Sequence, residues 1–443
     1  VGALTRWLEA NPAVGGAQSY VALPRGLVRR LRDDPRRLTL ARELASWLDV
    51  TSESRDAERQ IAALEAKLKG LGLYREKYYA MVLVDGDRIG AWLSGTDASG
   101  KAARPQIGQL WRDDVRRLIL SELPSDEVRR LSELPAPASP AYHRAVSAAL
   151  NDLSQRVVPF VVEELGLGKL IYAGGDDVLA MVTARDLLEV MTMLRASYSG
   201  LAVDVARLFP KREHASKRIK VGGGHVQLDG HLFRAMGWRA TASMGAVVAH
   251  HTTPLGAVLR ELRAAEQRAK SCGRDAFSIA LMKRGGGTTQ LTCGFGMLAH
   301  VDAATVQTAD DTPLGVLRAL RDYLEQSRRA AYHASQWLPG LPASSEGLDR
   351  ERYQKMLAQN LAWQMNRQKS PTSDLTAADV TALAARVTDL ALAEVLRREG
   401  LSGTAAQTVS ATELIGHMLG HMEFLARPER RREGSTGRPA AAE

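Results

Sequence analysis

The chain has 443 residues, room for roughly three domains of ordinary size, and its 45% apolar, 5% aromatic and 25% charged side chains exclude a disordered or fibrous protein. No run approaches the roughly 18 apolar residues of a membrane span and the start lacks a signal-peptide pattern, so a cytoplasmic chain with no membrane contact is expected. A net charge of +9, from 59 basic against 50 acidic residues, favours a polyanionic partner such as RNA, although an Arg-rich proteome gives the same balance.

The first residue is Val1 rather than Met, which suggests an unusual start, processing or a truncated chain. Residues 1–76 read as a helical lead-in, with Leu38, Leu40, Leu44 and Leu48, then Ile61, Leu64, Leu68 and Leu71, at helical spacing. From Tyr78 the pattern becomes an apolar run, Tyr-Tyr-Ala-Met-Val-Leu-Val, stopped by Asp85-Gly86-Asp87, the form of a buried strand ending at a functional turn. A helical insertion over about 95–140 is bracketed by loops, and a helix is expected over 141–165. Two short strands follow around Gly174-Gly175-Asp176-Asp177, and a second helix is expected near 184–208. Residues 210–230 are polar, basic and glycine-rich and read as a surface excursion. Strand character returns over 240–249, an amphipathic helix covers 254–270, and a closing strand covers 276–282. The order β-α-ββ-α-β-α-β is that of an α+β, ferredoxin-like palm over 77–290, an antiparallel sheet with helices on one face. Residues 291–426 read as a C-terminal helical domain, with helix starts at Thr376/Asp379 and Ser410/Glu413, and 427–443 as a flexible tail. Cys272 and Cys293 are too few for a disulfide framework and do not have zinc spacing.

The acidic residues carry the chemistry. Phosphoryl transfer to a hydroxyl uses two divalent ions about 3.5–4 Å apart, held by shared carboxylates. Strands lie about 4.8 Å apart, so Asp85 at one strand end and Asp176-Asp177 at the neighbouring hairpin can converge on two Mg²⁺ or Mn²⁺ ions, with Gly86 counted in the metal set. Gly174 and Gly175 allow the positive φ of a tight turn and leave room for a triphosphate. The alternative for this tetrapeptide is a plain hairpin turn with solvated acids. The run Arg88-Ile89-Gly90 starts a helix whose free amides suit β- and γ-phosphates. Asp87 either assists the metals or caps that helix. His250-His251 reads as a strand terminus rather than a metal site. The basic residues Arg207, Lys211, Arg212, Lys217, Arg218 and Lys220, opposed within the run only by Glu213, suit either an RNA backbone or a solvated loop.

Two resemblances add to this reading. The segment Ala265-Glu266-Gln267-Arg268-Ala269-Lys270-Ser271-Cys272-Gly273-Arg274-Asp275 resembles the Ala-Lys-x-x-Gly-Arg-Asn helix end of diguanylate cyclases. That resemblance gives Lys270 and Arg274 a triphosphate-binding role; a basic last turn capped by Gly273 is the structural alternative. The segments 79–90, 170–180 and 240–251 together resemble the large palm-containing subunit of type III-B, Cmr-type, CRISPR effector complexes. That resemblance implies ATP as substrate, cyclic oligoadenylate as product, guide RNA, target RNA and sibling subunits as partners, and Ser243 beside the nucleotide; a locally bonded strand serine is the alternative. The family's His-Asp nuclease motif and paired Cys-x-x-Cys are missing from this sequence, and the residues before Tyr78 are too few for another palm. A partner then supplies the second palm, or the chain is a fragment. A free-standing nucleotide cyclase and an inert RNA-binding scaffold are the competing functions.

Overall fold

The computed structural model describes residues 77–95, 106–109, 113–122, 126–210, 212–296, 312–327, 329–343, 349–371, 373–401 and 409–426. The expected helical lead-in, the tail from 427 and Lys211 lie outside these.

Strand β1 (Tyr78–Gly86) is the apolar run expected there, and its position explains its composition. It pairs antiparallel with β3 (Asp177–Thr183) on one side and with β7 (Ala242–His250) on the other, and its alternate residues pack into separate apolar clusters on the two faces, so it needs no polar alternation. The six-stranded sheet runs β2-β3-β1-β7-β8-β9, with β2 at Lys169–Gly174, β8 at Ala276–Met282 and β9 at Thr288–Gly294.

One turn of helix, α1 (Ile89–Ser94), leaves β1. The insertion contains α2 (Asp113–Glu122) and α3 (Asp126–Glu133). Helix α4 begins at Pro140–Asp152 and continues to Leu165 through two π turns, Leu153–Val157 and Val161–Leu165. Pro159 lies between them, and a proline without an N–H and with a ring against the preceding turn is a physical reason for the widened helix. Helix α5 is Leu187–Ser199, shorter than the expected 184–208. It stops at Gly200 (φ 68°), where an added Cβ would lie 2.5 Å from the Gly224 backbone.

The expected sheet with helices on one face is correct for the ferredoxin-like part and incomplete beyond it. Even-numbered β1 residues Ala80, Val82 and Val84 join the main core with α4 and α5, whereas Met81 packs with Val247, Ala249 and Ala280 on the opposite face. That second face is covered by α6 (Leu255–Ser271) through Val258 and Leu262. The reason is topological. Strand β8 pairs parallel with β7, and a parallel neighbour requires a crossover long enough to cover a sheet face. Strand β9 then pairs antiparallel with β8; the sequence reading took this stretch as the start of the helical region, although Leu291 and Cys293 alternate inward among threonines.

Gly245 makes the close approach of α6 possible. A Cβ there would lie 2.5 Å from Glu266 N and 2.7 Å from Leu262 O. Gly245→Ala is therefore expected to cost roughly 1–3 kcal/mol, as overpacking does, and to displace the helix end that carries Lys270. Thermal unfolding measures the first effect and nucleotide affinity the second; an unchanged melting temperature would contradict the packing.

The basic segment is not a loose excursion. It forms a three-stranded antiparallel sheet, β4 (Ile219–Gly222), β5 (His225–Leu228) and β6 (His231–Arg234). Two of its arginines are held by acids that sequence order hides: Arg212 by Asp186 at 3.0 Å, and Arg218 by Asp229 at 2.6 Å and Glu164 at 3.3 Å. Lys217 is paired with Glu213 at 2.6 Å. These pairings weigh against an RNA-following role for the segment.

The C-terminal helices α7 (Pro313–Gln326), α8 (Arg329–Trp337), α9 (Arg350–Arg367), α10 (Ala377–Glu399) and α11 (Ala411–Ala426) share one continuous core with the palm. Helix α7 is fixed to α5 by the buried Arg321–Glu189 pair at 2.7 Å, and α10 begins at the Thr376/Asp379 capping box. Trp363 on α9 is 57% exposed. His421 on α11 is buried, its Nδ1 2.8 Å from the His417 carbonyl, and burial pushes its pKa from 6.5 down to about 4. Between those values the folded state holds it neutral while the unfolded chain takes up a proton. Its contribution is therefore intact above pH 6.5 and is lost as the pH falls toward 4, by on the order of 3 kcal/mol. Denaturant titrations over that range should show a flatter acid limb for His421→Gln; parallel limbs would refute the assignment.

Candidate active site

The carboxylates meet because of strand register. The β1–β3 ladder ends at Val84↔Val178, so Asp85 and Asp177 are the next neighbours across it. Both follow the odd-numbered face that α6 covers, and Asp177 lies within hydrogen-bond distance of Asp85. The hairpin turn is Gly175-Asp176, closed by Gly174↔Asp177. Gly175 alone has a positive φ, 62°, as the first central residue of a type II′ turn requires. Gly174 is extended, and a side chain there would strike the Tyr172 ring.

Asp176 turns toward Gly86. A Cβ on Gly86 would lie 2.8 Å from Asp176 Oδ2 and would overlap the Tyr198 hydroxyl. Gly86 thus has a steric role that is visible here, and its amide hydrogen-bonds the Asp176 carboxylate. Burial first, then the charge of Asp85, raises the Asp176 pKa against the pull of the Asp176 and Gly86 amides. Asp177 is raised by its own desolvation and then by Asp85 and Asp176. Burial and the neighbouring Asp176 and Asp87 push the Tyr198 phenol well up, so it stays protonated.

Lys270, at the end of α6, supplies the nearest positive charge. Its Nζ is 2.9 Å from Asp85 Oδ1 and 2.5 Å from Glu266 Oε1. Burial lowers its pKa, but the bonds to Asp85 and Glu266 outweigh this and raise it. After Lys270 the chain turns through Gly273 (φ 91°), Arg274 (φ 63°) and Asp275 (φ 45°), three consecutive residues in left-handed backbone. Arg274 is exposed at that turn and has no ion pair among the described residues.

The other expected contacts are distributed differently. Asp87 is 3% exposed and does not cap α1: its carboxylate accepts from Thr241 Oγ1 at 2.7 Å, Ser243 Oγ at 2.7 Å and the Asp275 amide at 2.9 Å. The residue preceding α1 is Arg88, in left-handed backbone (φ 60°) with no side-chain cap. Ser243 is fully buried with its hydroxyl donating to Asp87 on the neighbouring strand's end, a partner 156 positions away rather than a local one. Ile89 packs on the core, and Gly90 is exposed with open space where a Cβ would stand. His250 ends β7 opposite Tyr78, remote from the acids.

Sequence reasoning passed over Glu266, Tyr198, Arg195 and Asp275. Glu266 was legible as the i−4 partner of Lys270. Arg195 is a fully buried cation on α5, held by Asp275 with Nε to Oδ1 at 2.8 Å. An Arg in a helix buried along its length signals a buried acid without naming it.

Asp176 and Asp177, raised first by burial and then by neighbouring charge, stand beside Asp85 with one lysine among them, a set chemically suited to hard divalent cations, which take oxygen ligands. Among the described residues no three acidic, His or Cys side chains already form a ligating set, and Lys270 holds one oxygen of Asp85. Cation entry therefore entails reorientation of these side chains.

The split β-α-β core with an acidic hairpin beside its central strand defines a palm domain. Comparison with known proteins gives its relatives. The family model described as the second palm domain of Cas10/Cmr2 matches residues 78–278. The CRISPR system Cmr subunit Cmr2 of Pyrococcus furiosus is 30% identical over 251 residues, which is 56% of this chain and 23% of that protein. The chain thus spans about a quarter of the curated relative it matches. The cryo-EM structure of the type III-B Cmr-beta complex bound to cognate target RNA contains a chain that superposes with a TM-score of 0.55 and 14% identity. That match covers 85% of this chain and 42% of the other, and it supports the fold. Residues 78–278 are thus similar to the second palm domain of Cas10/Cmr2. No helix among the described residues is long and apolar enough to cross a membrane.

Proposed function

We propose that this chain is the palm-bearing part of a type III-B effector large subunit and joins ATP molecules into cyclic oligoadenylates when its complex engages target RNA. The observation that carries the proposal is the convergence of Asp85 and Asp177 from adjacent strands, with Asp176 at the turn between β2 and β3 and Lys270 bridging to α6. Asp85, Asp176 and Asp177 hold two Mg²⁺ or Mn²⁺ ions, with Gly86 keeping the space beside them clear. When bound, such ions polarise the α-phosphate and help ionise the attacking 3′-hydroxyl. Lys270 and Arg274 neutralise the triphosphate, and the first amides of α1 lie at the same sheet end to receive phosphate oxygens. Tyr198, kept protonated beneath Gly86, maintains a neutral wall behind Asp176. Guide RNA, target RNA and sibling subunits are the partners in this reading.

The test is a complex reconstituted with its sibling subunits and supplied with ATP, Mn²⁺ and target RNA. Cyclic product from the wild type and none from Asp176→Ala/Asp177→Ala is expected. Equal product from both removes these residues from catalysis, and strong GTP turnover without RNA favours a free-standing cyclase. Binding of ATP and metal with no phosphodiester product under any condition favours an inert scaffold. Lys270→Ala and Arg274→Ala are expected to raise the KM for ATP about tenfold each, the effect of one lost charge-assisted contact worth roughly 1.4 kcal/mol. An unchanged KM in both variants refutes their triphosphate role.

A further inference from the structure

A cavity of about 440 Å³ opens at the end of the sheet opposite the acidic cluster, lined by Lys77, Tyr78, His250, Lys283, Arg284, Gly285 and Gly286. Tyr78 opens β1 and Asp85 lies seven residues further along it, so the two sites are roughly 23 Å apart along the strand. They are separate surfaces. Three strand ends and the β8–β9 hairpin bring the cavity's cations together, although Lys77 is about 200 residues from the other two in sequence. Lys77, Lys283 and Arg284 have no ion pair among the described residues. This contrasts with Arg212, Lys217 and Arg218, each of which already has an acid.

Three unbalanced positive charges around one concavity repel each other, and an anion relieves that repulsion. The hairpin is shaped for close approach. Gly286 (φ 92°) and Gly287 (φ 82°) occupy left-handed backbone, Lys283 N donates to Gly287 O at 3.2 Å, and no atom lies within 4 Å of the position a Cβ would take at Gly285, Gly286 or Gly287. A ligand can therefore reach the main chain between Lys283 and Tyr78. Opposite stands an aromatic wall, Tyr78 and His250 in edge contact at 5.1 Å, with His250 Nδ1 held by Thr252 Oγ1 at 2.7 Å. The volume exceeds what inorganic phosphate fills and falls in the range of small-ligand sites, roughly 300–1,000 Å³.

We propose that this cavity binds a phosphate ester of nucleotide size, either one unit of a single-stranded nucleic acid or a free nucleotide. Lys77, Lys283 and Arg284 hold the phosphate, and the Tyr78–His250 wall faces the rest of the unit. The site is independent of the proposed catalysis and does not require it.

The test uses the full chain in EDTA, with a short fluorescent single-stranded RNA and ATP as the two probes. Lys77→Ser/Lys283→Ser/Arg284→Ser is compared with Arg350→Ser/Arg352→Ser/Lys355→Ser, which removes the same charge from exposed positions on α9. The cavity variant is expected to lose at least about tenfold in affinity, and its log affinity should depend less steeply on log salt by roughly 0.7 per lost phosphate contact. The α9 variant should stay within about threefold of wild type. Loss for RNA alone assigns a strand, and loss for ATP as well assigns a free nucleotide. Lys77→Arg/Lys283→Arg keeps the charges and should keep binding, which separates ligand loss from misfolding; unfolding temperatures of all variants are read alongside. Equal loss in the two triple variants, no loss in the first, or no binding of either probe by the wild type overturns the proposal.

Discussion

Asp177→Asn is expected to abolish nucleotidyl transfer in the assembled complex while leaving the metal-free chain at least as stable as wild type. The activity should fall by about a thousandfold, the kinetic equivalent of ~4 kcal/mol of lost transition-state stabilisation at a metal centre. Stability moves the other way for a physical reason. Asp177 is raised by burial and by the charges of Asp85 and Asp176, so its ionised form is held against repulsion, and a neutral amide of the same shape removes it. A divalent cation should reverse the order of the two proteins. On the proposed function Mn²⁺ should bind the folded wild type and raise its melting temperature through mass action, whereas the variant, with one ligand fewer, should gain less. Melting curves in EDTA and in Mn²⁺ decide the matter without any turnover assay. Equal Mn²⁺-dependent shifts in the two proteins would place the metal elsewhere.

The acidic end was legible because each of its parts is local. An apolar run ending at Asp85 and a glycine pair before Asp176 each report on a few residues of backbone, and their meeting follows from hairpin pairing, here through Val84↔Val178. The turn after α6 was legible as a basic, glycine-capped helix end, and Gly273 does take the left-handed conformation. What stayed hidden depends on residues distant in sequence. The commitment of Asp87 to Thr241, Ser243 and Asp275 spans more than 150 positions, and no spacing rule distinguishes such a carboxylate from a helix cap. The acids opposite Arg212 and Arg218 are likewise on other elements, so two paired arginines read as part of a free basic segment. Strand β9 was missed because Gly285-Gly286-Gly287 looked like a boundary, whereas it is a hairpin turn returning the chain to the same sheet. The face covered by α6 followed from a parallel pairing that periodicity cannot reveal.

Asp275→Asn is the substitution expected to show most about how the nucleotide-side turn is built. Asp275 stands where the cyclase-like motif has Asn, and the structure gives a reason for the acid. Its carboxylate is the partner of Arg195, which is fully buried and also donates to Ser199 Oγ, and the Ser199 hydroxyl donates to the Ala240 carbonyl at 2.5 Å. The Asp275 amide donates to Asp87 and its carbonyl accepts from Phe295 N at 2.8 Å, so one left-handed residue joins α5, β1 and β9. Asn tolerates left-handed backbone as well as Asp does, so the substitution removes the charge without adding conformational strain. It leaves the Arg195 guanidinium in the core without an acid. The expected loss is roughly 3 kcal/mol, the low end for a broken buried pair because the Asp275 side chain is 26% exposed. That corresponds to a fall of about 6–12 °C in melting temperature for a domain of this size. Adding Arg195→Met should restore part of it, since neither charge is then buried alone, and a double-mutant cycle reads the coupling directly. Activity separates support of the turn from stability alone. If the pair positions Arg274, the single variant has a raised KM for ATP at temperatures where it is fully folded, and the Met rescue recovers stability without recovering that KM. A single variant with wild-type KM confines the pair to a purely structural role.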